Sequence, residues 1–187
     1  MKKILLSIAL ICSAPSLLKA QSFEEVTFLG VDYSAVNVLY ADESPEQFIS
    51  AFERINQLMI SEQEKYDVSK YLRVDVVNTE IKYAIKNIAS LENRDFTDLE
   101  EEEISLESVV AAYPEVEGTA LLLVARELNK AVATGEYDIV VFDGKTKEIL
   151  KTDSFIGAAG GFGLRNYWAG SIYKGFGRYW KQHKNRR

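Results

Sequence analysis

Three apolar segments near the end of the chain are separated by connections too short to contain a crossover. They lie at 119–126, 137–142 and 148–153, and the first contains the unbroken run Leu121-Leu122-Leu123-Val124. Asp143-Gly144-Lys145-Thr146, between the second and third, is typical of a hairpin turn. A parallel pair of strands needs a crossover of roughly a dozen residues or more, so these strands must be antiparallel.

The preceding part of the chain alternates strand and helix patterns. Ser44-Pro45-Glu46-Gln47 is a strong helix start, with a capping box and a proline at the first helical position. Asn78 is the expected cap of a second helix, and residues 129–136 should form a polar loop. We predict strands at 25–31 and 72–77, a segment at 35–40 that extends or pairs with the first strand, and helices from 45 to about 65, at 79–91, at 106–113 and from about 164 to 182.

This order of elements predicts the fold class α+β. We expect a single mixed or antiparallel sheet with helices packed on one face, that is, a two-layer sandwich. No repeat and no linker composition divides the chain after residue 20, so residues 21–187 are predicted to form one domain.

Residues 1–20 have the pattern of a secretory signal peptide. Lys2 and Lys3 precede an apolar run that ends at Cys12, and the small residue Ala20 provides the cleavage site. The run is too short to cross a bilayer. Lipidation at Cys12 is the rival interpretation, although Ile11 occupies the place where lipoprotein signals have a small residue. We therefore expect an exported protein, either periplasmic or associated with the outer membrane.

The composition excludes several classes of function. The chain has one Cys and one His, and loss of Lys2, Lys3 and Lys19 with the signal would take its formal charge from −6 to −9. An acidic protein is a poor ligand for nucleic acid. His183 is predicted to be a solvated tail residue, so we expect no catalytic triad, no zinc site and no cofactor. The acidic run at 95–103 lacks the alternation and the glycine of a calcium loop.

A glycine-rich segment, Gly157–Trp168, carries the candidate binding residues. A glycine loop before a helix presents free N–H groups to an anion, and the fork of an arginine would add to that site. The alternative is a tight turn from strand to helix without a ligand. The candidates in this segment are Gly160, Gly161, Gly163, Arg165, Asn166 and Trp168.

Glycines also recur inside the last helix. Gly163, Gly170 and Gly177 are spaced by seven residues and should form a smooth strip for close packing against a sheet or a partner. Trp168, with Ile172 and Phe176, forms an apolar stripe beside this strip. We expect this stripe to belong to the core, although a sugar-binding aromatic platform is the alternative.

The runs 137–143, 146–150 and Gly160-Gly161-Phe162-Gly163-Leu164-Arg165-Asn166-Tyr167-Trp168 together resemble a group of small secreted proteins of Gram-negative bacteria. The resemblance covers roughly the last third of the chain and brings no catalytic residues. The strand–helix order and the Phe-Asp-x-x-Thr-x-x-Ile-Leu hairpin at 142–150 are also similar to the amino-terminal domains of TolB-like and curli-secretion-like envelope proteins. The second similarity implies a role in assembly and interaction.

Charge is distributed unevenly along the chain. No acidic residue follows Asp153, whereas this part of the chain contains seven basic residues. We predict that the tail containing Arg178, Lys181 and Lys184 contacts an anionic surface, either lipid headgroups or an acidic envelope protein. A frayed, solvated tail and a tail folded back onto 100–103 are the alternatives.

These observations favour a non-enzymatic binding or assembly component of the cell envelope. A protein that binds small molecules or glycans through Gly157–Trp168 is the second interpretation, and a carboxylate-dependent hydrolase is the third. Self-association into a homo-oligomer is compatible with the close-packing helix.

Overall fold

A computed structural model describes residues 25–93 and 105–185. Within these ranges the strands are β1 (Val26–Asp32), β2 (Asn37–Leu39), β3 (Val76–Thr79), β4 (Thr119–Asn129), β5 (Thr134–Asp143) and β6 (Ile149–Ala158). These six strands form one mixed sheet in the order β3-β1-β4-β5-β6. The segment expected to extend or pair with the first strand is β2, and it pairs with β4 instead.

The three late strands form an antiparallel meander, which confirms the prediction from their short connections. Leu121 of β4 lies opposite Val141 of β5, and Phe142 of β5 lies opposite Ile149 of β6. In contrast, β1 is parallel to both of its neighbours, β3 and β4, because helical segments separate these strands in sequence.

Helices pack against this sheet, so the fold is α+β as predicted. They are α1 (Pro45–Ser61), α2 (Val68–Leu72), α3 (Lys82–Ala89), α4 (Leu106–Ala111) and α5 (Leu164–His183). The sheet face that packs against α1, α2 and α5 is called the helical face, and it carries the larger core. The helix predicted at 106–113 is the short α4, but it lies on the opposite face and not with the other helices, and Val109 and Val110 contribute there to a smaller core.

Successive side chains of β4 point alternately into these two cores. Leu121 and Leu123 point to the helical face, whereas Ala120, Leu122 and Val124 point to the opposite face. All five are fully buried. The unbroken apolar run predicted to be a central strand is therefore covered on both sides, since successive side chains of a strand point to opposite faces.

The start of α1 follows the predicted pattern. Pro45 occupies the first turn, and the Ser44 backbone N–H donates to Gln47 Oε1 at 2.9 Å. The helix ends at Ser61, four residues before the predicted end at Lys65, and residues 62–65 form turns.

The predicted strand at 72–77 and the predicted helix at 79–91 are wrong in their boundaries. Asp67 caps α2 by accepting a hydrogen bond from the Lys70 N–H, and Arg73 closes that helix with a φ of 60°. Leu72 is therefore helical, and β3 begins only at Val76. Asn78 belongs to β3 and pairs with Thr27, so it does not cap α3.

The expected polar loop at 129–136 is also wrong, because β4 and β5 continue to a tight turn. Only residues 130–133 separate the two strands. Asn129 Oδ1 accepts a hydrogen bond from the Val132 N–H at 3.3 Å, and Ala133 adopts a φ of 52°. This local bond and the left-handed residue allow the chain to reverse without a long loop.

The glycine strip is only partly as predicted. A Cβ on Gly170 would overlap the carbonyl oxygen of Gly160, whereas a Cβ on Gly163 or Gly177 would meet open space. The closest approach of α5 to the sheet instead involves Gly157 of β6, where a Cβ would overlap the Ser171 carbonyl oxygen. The spacing of glycines along α5 could not reveal this contact, because Gly157 belongs to the strand and not to the helix.

Residues 1–20, assigned to the signal peptide, and the acidic run at 95–103 lie outside the described residues. None of the helices in 25–93 and 105–185 is long and apolar enough to span a membrane.

Candidate functional site

The β6–α5 loop places the predicted glycines at the start of α5. Gly161 has a φ of 144° and Gly163, at the N-cap, a φ of 77°, and side chains rarely adopt either conformation. The Gly160 N–H donates to the Tyr167 carbonyl oxygen at 2.9 Å. The loop is therefore folded back onto the first turns of the helix, as expected for a tight turn from strand to helix.

Arg165 and Asn166 lie at this helix start and contact each other. The Arg165 guanidinium donates to Asn166 Oδ1 from Nε at 3.1 Å and from Nη2 at 2.9 Å. Asn166 Nδ2 donates to the Phe162 carbonyl oxygen at 3.1 Å. Both side chains border an open groove of about 610 Å³ between the loop and α1, which includes Arg54 of α1.

Trp168 belongs to the core and not to this surface. Its side chain is 0% exposed and belongs, with Ile172 and Phe176, to the core between α5 and the sheet. The expectation that the stripe belongs to the core is confirmed, and Trp168 offers no ring face to a sugar. This burial contradicts the prediction that Trp168 is a binding residue.

The remaining predicted site residues lie at the other end of α5. Arg178 and Lys181 are exposed in its last turns, and Lys184 follows the helix with its ammonium 5.2 Å from the centroid of the Trp180 ring. Arg178 lies thirteen positions after Arg165 in the helix, a rise of about 20 Å. The predicted binding residues thus form two separate surfaces.

The prediction that His183 is a solvated tail residue is wrong. Its ring stacks on Tyr179 with centroids 4.1 Å apart, and its Nε2 lies 3.8 Å from Asp153 Oδ2. The His183 carbonyl oxygen accepts a hydrogen bond from Arg73 Nη1 at 2.9 Å. The C-terminus is therefore helical and fixed as far as His183, which contradicts a tail frayed from Arg178.

Sequence reasoning missed a cluster of exposed apolar side chains at the end of the sheet that carries the β6–α5 loop. We call Tyr40, Val132 and Phe162 the exposed loop cluster; their side chains are 75%, 64% and 96% exposed. Each occupies a different connection. The glycines on both sides of Phe162 were a usable signal, because they provide no side chain to cover its ring.

Backbone hydrogen bonds join these three connections. The Lys130 N–H donates to the Leu39 carbonyl oxygen at 3.0 Å, and the Ala159 N–H donates to the Ala133 carbonyl oxygen at 2.7 Å. The Lys130 ammonium also lies 2.7 Å from Glu43 Oε1. Tyr40 itself has a φ of 55°, a conformation that is rare for a large side chain. The cluster is thus held by paired backbone on a fixed scaffold.

A second feature missed from the sequence is the buried carboxylate of Asp32 at the end of β1. Oδ1 accepts hydrogen bonds from the Ser34 N–H at 2.7 Å and from the Ser34 hydroxyl. Oδ2 accepts from Asn87 Nδ2 at 3.2 Å and from Tyr113 Oη at 2.7 Å. The side chain is fully buried, and its hydrogen bonds to Asn87 and Tyr113 connect α3 and the end of α4 to β1. The Asp-x-Ser turn was its sequence signal.

Carboxylates meet on the opposite face of the sheet, beyond α4. Glu127 of β4 lies directly across from Glu136 of β5, and Asp138 lies 3.7 Å from the Arg126 guanidinium. Partial burial, with Glu127 and Asp138 nearby, raises the pKa of the Glu136 carboxyl. In the described ranges no three His, Cys, Asp or Glu side chains form a group that could hold a metal ion.

Neither of two comparisons with known proteins identifies a relative: no protein-family model matches the chain, and no curated protein has a significant match.

Proposed function

We propose that this protein is a non-enzymatic, exported component of the cell envelope that binds a partner protein through the exposed loop cluster. The observation that carries the proposal is the exposure of Phe162, which at 96% buries almost none of its ring within the chain. Exposed apolar patches on folded proteins commonly mark interaction sites. The interaction role implied by the TolB-like and curli-secretion-like resemblance agrees with this proposal.

The setting of the cluster supports binding to a protein. Tyr40 and Phe162 provide large rings, the residue types that dominate the centres of protein interfaces. The Lys130–Glu43 ion pair lies between the connections and provides a polar border. Since the loops are joined by backbone hydrogen bonds, little conformational entropy would be lost when a partner binds.

Site-specific photocrosslinking tests this function. A photoreactive amino acid at position 162, in cells that export the protein, should give one discrete adduct. The adduct should be lost in the Tyr40→Ser/Val132→Ser variant. It should be retained in Val77→Ser, which removes an apolar side chain that is 57% exposed on the edge strand β3.

The same experiment distinguishes the kinds of partner. An adduct of twice the mass of the chain would identify a second copy, and a larger adduct would identify another envelope protein. Crosslinking that is diffuse, or equally strong in the Tyr40→Ser/Val132→Ser variant, would contradict the proposal. Robust turnover of a glycan library by the purified protein would instead favour a carboxylate-dependent hydrolase.

The groove beside Phe162 supports a second candidate, a small-molecule or glycan site. Arg54 and Arg165 border the groove with Asn166, so an aromatic ring lies next to planar polar groups. Saturable binding to a glycan array that is lost in Phe162→Ala, without a protein adduct at position 162, would favour this candidate over the first.

A further inference from the structure

The outer side of α5 forms a basic surface together with α2. Lys181 projects from the last turn of α5 and Lys184 from the residue that follows the helix, and both are exposed. Lys70 of α2 is exposed on the neighbouring helix. Hydrogen bonding from Arg73 to the His183 carbonyl oxygen joins the ends of the two helices. These helices therefore present one continuous surface.

Aromatic rings lie between these cations. Tyr173 is 41% exposed, and Tyr71 and Trp180 are half-buried. The Lys70 ammonium lies 5.3 Å from the centroid of the Tyr71 ring, and the Lys184 ammonium 5.2 Å from that of Trp180. We call the whole set the basic–aromatic face: Lys70, Tyr71, Arg73, Tyr173, Trp180, Lys181 and Lys184.

Asp67 is an acidic group beside this face, since its charge acts on Tyr71, and two other carboxylates nearby are paired. Asp67 caps α2 by accepting a hydrogen bond from the Lys70 N–H, and Glu62 pairs with Lys65. Asp153 Oδ2 accepts a hydrogen bond from Tyr179 Oη at 2.7 Å and lies 3.8 Å from His183 Nε2. The four basic residues of the face outnumber Asp67, so the face is positive on a chain whose formal net charge is −6.

We infer that the basic–aromatic face docks on an anionic phospholipid surface. Lysine ammoniums reach lipid phosphates while their stems lie along apolar material, and Tyr and Trp rings concentrate at the boundary between headgroups and acyl chains. Cations interleaved with rings also occur in sites for nucleic acid, but the predicted export of this protein makes a lipid surface the favoured ligand. The contact is peripheral, since a few basic residues give loose, reversible attachment.

The lysines and Trp180 that α5 contributes to this face lie at the opposite end of the helix from Phe162. The inference therefore goes beyond the proposed partner binding and is independent of it. Loss of the membrane contact should leave the Phe162 crosslink unchanged, and loss of the crosslink should leave vesicle binding unchanged. Failure of one proposal is thus distinguishable from failure of the other.

Vesicle flotation of the folded protein without its predicted signal peptide tests the inference. Vesicles of phosphatidylcholine with about one third phosphatidylglycerol should carry the protein upward at low salt, and screening at physiological salt should weaken the association. Pure phosphatidylcholine vesicles should not carry it. Lys181→Glu/Lys184→Glu should lower binding by roughly tenfold or more, because each basic residue contributes to attraction by an anionic leaflet.

A matched control separates local contact from overall charge. Lys86→Glu/Lys145→Glu makes the same change in net charge on α3 and on the β5–β6 turn, and both lysines are exposed. This control should bind vesicles as the parent protein does. Equal loss in the two variants, both shown by thermal melts to be folded, would overturn the inference, as would absence of flotation at low salt.

Tryptophan fluorescence gives a second, local readout. Trp168 is fully buried and Trp180 half-buried, so contact with lipid should shift the emission of Trp180 to shorter wavelength and allow quenching by brominated acyl chains. Trp180→Phe should remove this change while flotation persists. Retention on immobilised heparin without flotation would assign the face to an acidic macromolecule and overturn the membrane proposal.

Discussion

The two faces of the sheet are packed in different ways, although β4, β5 and β6 contribute to both. On the helical face, Gly157 lies so close to the Ser171 carbonyl oxygen that no Cβ would fit between the strand and α5. On the opposite face, beyond α4, Glu127 and Glu136 lie across from each other. The helical face therefore includes direct contact between backbones, whereas the part of the opposite face beyond α4 carries charged side chains.

This difference has consequences for substitution. Backbone atoms in a paired strand and a regular helix cannot move aside cheaply, so added volume on the helical face must distort one of the two elements. Charged side chains on a partly open face can reorient and bind water. Substitutions on the helical face should therefore have large effects, and those on the open part of the opposite face small ones.

Gly157→Ala should have the largest effect on stability. The new Cβ would overlap the Ser171 carbonyl oxygen and lie 2.8 Å from the Gly175 nitrogen. Because both belong to the backbone of α5, we expect the free energy of unfolding to fall by about 3 kcal/mol or more. Denaturant unfolding of the purified protein measures the change.

The matched control for this prediction is Gly177→Ala on the outer side of the same helix. A Cβ there meets open space, so the greater helix propensity of Ala should raise the free energy of unfolding by about 0.5–1 kcal/mol. If both substitutions changed stability by the same amount and sign, close backbone contact would not distinguish the helical face.

Gly170→Leu should have the next largest effect. A side chain at this position would overlap the Gly160 carbonyl oxygen, but Gly160 lies in a loop that can shift more readily than β6. We expect a loss of about 1–3 kcal/mol of unfolding free energy. A melting temperature equal to or above that of the parent protein would show that this side of α5 tolerates added volume.

Glu136→Gln should have the smallest effect and the opposite sign. Removing one of two like charges directly across a strand pair should raise the free energy of unfolding at neutral pH by about 0.2–1 kcal/mol. Glu148→Gln, on an exposed residue outside this pair, is the control and should change little. Destabilisation by Glu136→Gln would show that its carboxylate makes a favourable contact in the folded protein.

The increase in unfolding free energy expected for Glu136→Gln depends on pH through the pKa of Glu136. Partial burial, then the nearby carboxylates Glu127 and Asp138, raise this pKa above its ordinary value of 4.5. Above the raised pKa the side chain is charged in both folded and unfolded states. The charged form then destabilises the folded state by its full amount. Below 4.5 it is protonated in both states, so the advantage of Gln should disappear in acidic unfolding experiments.

Local sequence determined much of the fold. The short connections made β4, β5 and β6 antiparallel, and the capping pattern at Ser44 set the start of α1. The expected limits of α5 differ from the observed ones by a single residue. These features depend on residues that are neighbours in the chain, so their patterns are visible without the remaining structure.

The candidate site depended on tertiary structure. Spacing placed Gly170 and Gly177 together, but only Gly170 has backbone opposite it, and the tightest contact belongs to Gly157 in another element. Phe162 and Trp168 are both aromatic residues near the same loop, yet one is exposed and the other buried. The physical reason is that exposure and close contact depend on what distant segments place beside a residue, and composition and periodicity describe only the segment that contains it.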